Sequence, residues 1–221
     1  MLLLPQMVGF KHGVNPLSAS FIASASSSNS DRLTAMGSIQ AGDLLLYIDL
    51  AAEALSIPID VVPTEFTGVY TNTATLGGGS TGYRVRISRK IAAGSESGNI
   101  IGMVGGWSAA KVLLQFRGNR VFASVSFSTP TWEATDVNPA QQTIAMSGQN
   151  TPIIGLGIFN GGFGIAVDPR TMSASDGEIN PDTSFYVKYK IYNASPADVT
   201  FDMDDEGGDN ILSGVYAIPA E

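Results

Sequence analysis

Short apolar runs separated by turn-forming residues dominate the chain after residue 40. The runs are rich in β-branched and aromatic residues and are bounded by Gly, Pro, Asn, Asp and Ser, which is typical of β-strands joined by turns. Helical periodicity is scarce, and the propensities of Asp49 to Leu55 favour one short helical turn that ends before Pro58. The pattern predicts strands in GDLLLYIDL, YRVRISRKI, KVLLQFRG, VFASVSFST, PIIGLGIF, FYVKYKIYN and ILSGVYAIP.

Two of these segments alternate between apolar and polar positions. In FYVKYKIY, every second residue from Phe185 is apolar, and lysines or tyrosines stand between them. In YRVRISR, Tyr83 and the two following apolar positions alternate with arginines. Such alternation indicates strands with one buried and one solvated face. We therefore predict that Arg86 and Lys188 face water.

The N-terminal 38 residues differ in composition from the rest. The stretch SASFIASASSSNSD is rich in Ser and Ala and offers only Phe21 and Ile22 for burial, which is typical of a flexible arm. Such a segment cannot bury enough of its own apolar surface to offset roughly 1–2 kcal/mol of backbone ordering per residue. We predict an extended arm at residues 1–38 that docks on a neighbouring subunit. For residues 39–221 we predict an all-β domain, an antiparallel β-sandwich or jelly roll.

Composition narrows the classes of partner. Hydrophobic residues make up 44% of the 221 residues and charged residues 14%, so the surface must be largely uncharged. The formal net charge of −8 opposes binding to a phosphate backbone, and we expect no nucleic-acid partner. The start, MLLLPQMVGF, lacks a basic segment and is too short to cross a bilayer, so we expect neither a signal peptide nor a membrane span. The absence of cysteine excludes disulfides and thiol nucleophiles.

The acidic segment FDMDDEGGDN, which begins at Phe201, has two interpretations. Asp202, Asp204 and Glu206, followed by glycine, match the first half of an EF-hand calcium loop. Ser213 stands where the closing bidentate glutamate belongs, so a complete EF-hand is excluded. The alternation of apolar and acidic residues equally predicts the end of a β-strand, which we favour. We predict no cofactor and no resident metal, with the three acids as weak calcium candidates.

Candidate catalytic groups are few. The chain has one histidine, His12, in the predicted arm, and no G-x-S-x-G motif, so a Ser/His/Asp site is not expected. GLGIFNGG has the wrong glycine spacing for a dinucleotide site. A glycosidase needs two carboxyl groups across a cleft, one with a raised pKa. The candidates by residue type are Asp43, Asp49, Glu53, Glu65, Glu133 and Asp136. Sequence alone places no two of them together, and we predict that the protein is not an enzyme.

Two tryptophans are candidate contact residues. Trp107 in GGWSA and Trp132 in TPTWEA have the flat apolar faces on which sugars stack. Tryptophans also cover the ends of sheets and the centres of protein interfaces. Both interpretations remain open for these two residues.

Five stretches from about residue 40 onward carry a resemblance to known proteins. They are AGDLLLYIDLA, VVPTEFTGVY, KVLLQFRGN, QTIAMSGQNTPIIGLGIF and FYVKYKIYNASPADVTFDMDDEGGDNILSGVYAI. None of them is a catalytic signature. In these stretches the chain resembles a family of small virion-associated proteins encoded by tailed bacteriophages and prophages.

The resemblance implies a location in the virion and a structural role there. On this basis we expect a capsid decoration, neck or tail-associated subunit that contacts other virion proteins and forms a homo-oligomer. The alternative is a carbohydrate-binding or host-receptor-binding module of a phage fibre or tail, which would use Trp107 and Trp132 against a host glycan.

Overall fold

The part of the chain described by the computed structural model consists of β-strands joined by turns, with no helix. This part comprises residues 18–28, 32–34, 39–54, 62–75, 81–96, 99–101, 109–119, 122, 126–133, 140–144, 153–160, 170–172, 176–179, 185–193, 199–203 and 210–217. The strands are β1 (Ala19–Ser28), β2 (Arg32–Thr34), β3 (Leu44–Ala54), β4 (Thr67–Thr75), β5 (Thr81–Ile91), β6 (Asn99–Ile101), β7 (Ala109–Gly118), β8 (Ser126–Glu133), β9 (Ala140–Ile144), β10 (Ile153–Asn160), β11 (Arg170–Met172), β12 (Gly177–Ile179), β13 (Phe185–Tyr192), β14 (Val199–Met203) and β15 (Asn210–Ala217). The predicted all-β class is confirmed for these residues.

The strands form four antiparallel sheets. A first five-stranded sheet has the order β1-β7-β3-β5-β4, and a second has the order β12-β13-β10-β15-β8. A three-stranded sheet has the order β11-β14-β9, and β2 pairs with β6. All eleven ladders between these strands are antiparallel. Most neighbours within a sheet are distant in sequence, so long-range pairing defines the fold.

The helical turn predicted at Asp49 to Leu55 is wrong as far as Ala54, because these residues belong to the central strand β3. Asp49 to Ala54 continue the strand, and Asp49 is the cross-strand neighbour of both Arg86 in β5 and Lys111 in β7. The ladder with β5 extends to Ala54 and the ladder with β7 to Ala51, and this pairing outweighs the modest local preference of an Ala-rich stretch for helix. Leu55 lies outside the described residues.

One apolar core contains side chains from both five-stranded sheets. Buried residues of β3 and β7 in the first sheet and of β10 and β13 in the second belong to the same cluster. Three aromatic rings connect the sheets within it. The Phe21 ring stacks on the Tyr189 ring at a centroid distance of 4.5 Å, and Phe116 meets both rings edge-on at 5.8 and 5.7 Å. Burial of this apolar surface holds the two sheets against each other.

Part of the predicted arm belongs to the first sheet. Residues 19–28 form β1, which pairs with β7 of the same chain. The side chain of Asn193 accepts a hydrogen bond from the Ala19 N–H at 2.7 Å and donates one to the Ala19 carbonyl at 3.3 Å. Residues 19–28 thus find a pairing strand within their own chain, and the docking of residues 1–38 on a neighbouring subunit stays a prediction. The division of the chain at residue 38 stays a prediction.

The prediction of solvated faces is wrong at two positions. The Arg86 side chain in β5 is 1% exposed and pairs with Asp49. The Lys188 side chain in β13 is 9% exposed, and its Nζ lies 3.0 Å from a carboxylate oxygen of Glu178. Alternation correctly indicates which residues share a face of a strand. It does not indicate whether the rest of the chain covers that face.

Candidate functional site

The first sheet buries charged side chains on the face opposite the shared apolar core. Leu44, Leu46 and Ile48 of β3 belong to the core, and the alternate residues of the same strand point to the other face. That second face is also buried. Its polar side chains with 1% exposure or less are Asp43, Asp49, Arg86, Ser88, Lys111 and Gln115. We call this set, together with Arg117, the charged layer.

Asp43 is the centre of the first part of the charged layer. Its carboxylate accepts hydrogen bonds from Arg117 Nε and Nη2 at 2.7 and 2.8 Å, a bidentate geometry. Gln115 Nε2 donates to the same carboxylate at 2.6 Å, and the Gln40 N–H donates at 2.8 Å. The backbone carbonyl of Asp43 accepts from the Ala92 N–H at 2.8 Å. Asp43 thus joins the start of β3, the end of β7 and the loop after β5.

These contacts decide the protonation state of Asp43. Burial by itself would raise the pKa of this carboxyl, but the hydrogen bonds from Arg117, Gln40 and Gln115, together with the Arg117 charge, outweigh it and hold the pKa below its ordinary value of 3.8. Asp43 is therefore ionised at neutral pH. A general acid needs the opposite shift, so Asp43 does not meet the glycosidase requirement.

The lowered pKa of Asp43 predicts a pH-dependent contribution to stability. A carboxyl with a folded-state pKa below its unfolded value stabilises the fold above the unfolded pKa and loses this contribution as pH falls through the folded pKa. At neutral pH we expect Asp43→Asn to lower the free energy of unfolding by about 1–3 kcal/mol, because Arg117 loses its charged partner. The difference from wild type should shrink as pH falls below 3.8.

Urea unfolding of the wild type and of Asp43→Asn, at neutral pH and at several acidic pH values, measures this difference. Asp43→Ala serves as a second variant, since it removes the hydrogen-bond acceptor as well as the charge. A difference in unfolding free energy that does not change with pH would contradict the proposed role of the Asp43 charge.

Asp49 is the centre of the second part of the charged layer. Its carboxylate pairs with the Arg86 guanidinium, and both side chains are almost completely buried. Lys111, also 1% exposed, is the neighbour of Asp49 on the other side, in β7. One carboxylate thus lies between two cations on adjacent strands. The buried Asp49–Arg86 pair favours one register of β3 against β5, since a shift by one residue would move a charge into the apolar core.

Lys90 connects two loops at the edge of the charged layer. Its Nζ lies 2.5 Å from a Glu65 carboxylate oxygen and 3.1 Å from one of Glu96. Burial would lower the pKa of Lys90, but the hydrogen bonds to both glutamates outweigh it and raise the pKa. Glu96 also accepts from the N–H groups of Ala93 and Gly94, at 2.6 and 2.8 Å. These bonds outweigh the effect of burial and lower the pKa of Glu96. Glu65, a predicted candidate, is thus a partner of Lys90 in a loop contact.

The loop after β5 packs closely on the turn before β3. Gly94 has a φ of +87°, and a Cβ at this position would lie 2.7 Å from the Ala41 nitrogen. Only glycine fits there without displacing the backbone. The Gly42 N–H donates to the Ala92 carbonyl at 2.9 Å. This close contact places Asp43 beneath the loop after β5.

A pocket opens beside Asp43 at the end of the first sheet. It has a volume of about 220 Å³, and Arg117, whose side chain is 31% exposed, forms part of its wall. The other lining residues are Gln40, Ala41, Gly42, Asp43, Gly118 and Asn119. Because the Nε–Nη2 edge of the Arg117 guanidinium already binds Asp43, the wall presents an ion pair with no net charge. The arrangement is suited to stabilising the sheet end, because Asp43, the carboxylate of the lining, is already bound by Arg117, Gln115 and the Gln40 N–H.

The remaining predicted site residues fall in three groups. Asp202 lies in β14, opposite Gln141 and Thr171, so the predicted strand is confirmed for Val199–Met203. Glu53, Glu133 and Trp132 lie in strands whose backbone pairing is described. His12, Trp107, Asp136, Asp204 and Glu206 lie outside the described residues. Within the described ranges, no group of three or more His, Asp or Glu side chains could hold a metal ion.

The sequence interpretation missed the basic and amide members of the charged layer. Lys111, Gln115 and Arg117 occupy alternate positions of KVLLQFRG, and Asp43 and Asp49 frame the apolar run of GDLLLYIDL. Polar residues of opposite charge at alternate positions in two apolar strands were the available signal. That signal does not show that the two strands pair with each other, because 74 residues separate Asp43 from Arg117.

Comparison with known proteins gives no relative. No protein-family model matches the chain, and neither a curated protein nor a solved structure does. Within the described residues, no helix has the length and apolar character needed to cross a membrane.

Proposed function

We propose that the chain is a non-enzymatic structural subunit of a bacteriophage virion and acts through repeated protein–protein contacts. The sequence resemblance to virion-associated proteins supports the location. We further propose that the two five-stranded sheets form a β-sandwich, a proposal supported by the core cluster to which both contribute. A capsid decoration, neck or tail-associated position is compatible with this architecture.

The proposal that the chain is not an enzyme rests on how its buried carboxylates are bound. Asp43 and Asp49 are fully buried acids, and each is bound to an arginine. Catalytic carboxyls need a position open to substrate and a pKa suited to proton transfer. Asp43 has a lowered pKa and Asp49 lies within a sheet between two cations. Both acids stabilise strand pairing, which is what a structural subunit requires.

The composition supports contacts with other protein chains. A surface with few charges carries little desolvation cost when it is buried against a neighbour. Other virion proteins and further copies of this chain are the partners that we propose. Nucleic acid is not among them, given the net charge of −8.

Locating the protein in particles tests the proposal. Virions of the encoding phage, imaged by electron cryomicroscopy with and without a tagged copy of the chain, should show added density at a fixed, repeated position. Virions without the protein would contradict the proposal. Fibre-tip density together with specific binding on a glycan array would favour the receptor-binding alternative instead.

An activity screen tests the non-enzymatic part separately. We expect no turnover of esters, peptides or bacterial polysaccharides by the purified chain. Turnover that a single substitution of an Asp, Glu or Ser abolishes would show that the chain is an enzyme.

A further inference from the structure

The two edges of the first sheet differ from the edges of the second. The edge strands of the second sheet are β12, which has three residues, and β8, which contains Pro130 and Glu133. Short length, proline and charge are the usual means by which proteins prevent edge strands from pairing with other chains. The edge strands of the first sheet, β1 and β4, have ten and nine residues with no proline and no charged side chain.

In the part of the chain that the structure describes, no strand pairs with the outer edge of β1. Among the described strands β1 pairs with β7 alone, so alternate N–H and C=O groups of β1 point away from the sheet. The Asn193 side chain binds both backbone groups of Ala19 and closes the first residue of this edge. A bulge between Phe21 and Ala23 separates that end from the rest. Ser24 and Ser26 beyond the bulge are exposed.

The side chains of this stretch suit the approach of another strand. From Ala23 to Ser28 the sequence is ASASSS, which consists entirely of small uncharged residues. Small residues leave the outward backbone groups accessible, and no charge must be desolvated on pairing. The opposite edge, β4, has the sequence TGVYTNTAT and is equally free of charge.

We propose that the β1 edge of one copy pairs with the β4 edge of a second copy, so that the first sheet continues from subunit to subunit. The same chain has both of the edges that lack proline and charge. Pairing of β1 with β4 covers both edges on every copy, whereas pairing of β1 with β1 leaves the β4 edge uncovered. Such a head-to-tail contact generates a ring or a filament. This inference deepens the proposed function by naming the surface of the repeated contact.

The first experiment compares self-association of three purified chains by sedimentation velocity. Ser26→Lys places a charge on the β1 edge, and Ser95→Lys places the same charge on an exposed loop residue as the matched control. We expect wild type and Ser95→Lys to associate equally. Ser26→Lys should raise the dissociation constant at least roughly tenfold. Circular dichroism and thermal melting check that each variant folds.

Disulfide trapping identifies the paired edges and remains informative if Ser26→Lys does not fold. The chain has no cysteine, so introduced thiols report without background. Ser26→Cys is mixed under oxidising conditions with a β4 panel, Thr67→Cys, Thr71→Cys and Thr73→Cys. We expect a mixed disulfide between Ser26→Cys and a member of the panel. Monomeric wild type, association insensitive to Ser26→Lys, absence of any mixed disulfide, or disulfides between Ser26→Cys copies alone would each overturn the proposal.

These outcomes are separate from those of the virion test. A protein that pairs through β1 and β4 but is absent from particles would contradict the proposed function and leave the edge pairing in place. If the protein is found in particles but its self-association is unaffected by Ser26→Lys, the edge pairing is contradicted and the proposed function stands.

Discussion

Replacing Phe116 by alanine is expected to lower the free energy of unfolding by about 3–5 kcal/mol. The Phe116 side chain is 0% exposed and lies in the core cluster that both five-stranded sheets share. Its ring contacts Phe21 of the same sheet and Tyr189 of the other sheet. Truncation therefore removes buried apolar area, two aromatic contacts and the filling of a space between the sheets.

Urea unfolding followed by intrinsic fluorescence measures the loss. Phe21→Ala is the comparison, because Phe21 meets the same Tyr189 ring but is half-buried, and the smaller burial predicts a smaller cost. A loss below about 1 kcal/mol for Phe116→Ala would show that the sheets do not depend on this contact for stability.

Asp49→Asn is expected to have an effect of similar size, about 3–5 kcal/mol, for an electrostatic reason. The substitution keeps the shape of the side chain and removes its charge. Arg86, which is 1% exposed, then remains buried without the carboxylate with which it pairs. Buried positive charge without a counter-charge is costly, so the folded state loses stability.

Two control variants separate this effect from loss of packing. In the double variant Asp49→Leu, Arg86→Met the ion pair is replaced by apolar side chains, and we expect a smaller loss than for Asp49→Asn. Glu65→Gln removes a carboxylate from Lys90 where the glutamate is 69% exposed, and should cost less than about 1 kcal/mol. Equal losses for Asp49→Asn and Glu65→Gln in chemical denaturation would contradict the importance of burial.

The sequence predicted most strands because their apolar runs and turn residues are local signals. KVLLQFRG and FYVKYKIYN correspond closely to β7 and β13. The prediction failed where long-range pairing outweighs local preference. The Ala-rich end of β3 favours helix by composition, but β5 pairs with it as far as Ala54 and β7 as far as Ala51. The Ser/Ala-rich β1 offers little apolar surface, and the local sequence pattern does not show that it pairs with β7.

The sequence predicted which types of residue form the candidate site but not how they are arranged. Asp43 and Asp49 were among the candidate acids, yet their chemistry depends on Arg117 and Arg86, which lie 74 and 37 residues away. Alternation placed Arg86 correctly on the face opposite Ile87. It could not show that this face is covered, since covering depends on how other parts of the chain fold over the sheet.

The pairing of β1 with β7 also has a consequence for folding during synthesis. Ser18 and Asn119, whose backbone and side chain join the ends of β1 and β7, are 101 residues apart. At about 5–20 residues per second of translation, a nascent chain carries β1 for roughly 5–20 s before β7 exists. The ten residues of β1 contain no charge that would discourage contact between neighbouring nascent chains. We therefore expect crowding of nascent chains at high-level expression to lower the soluble yield, and weaker induction at the same temperature to raise it.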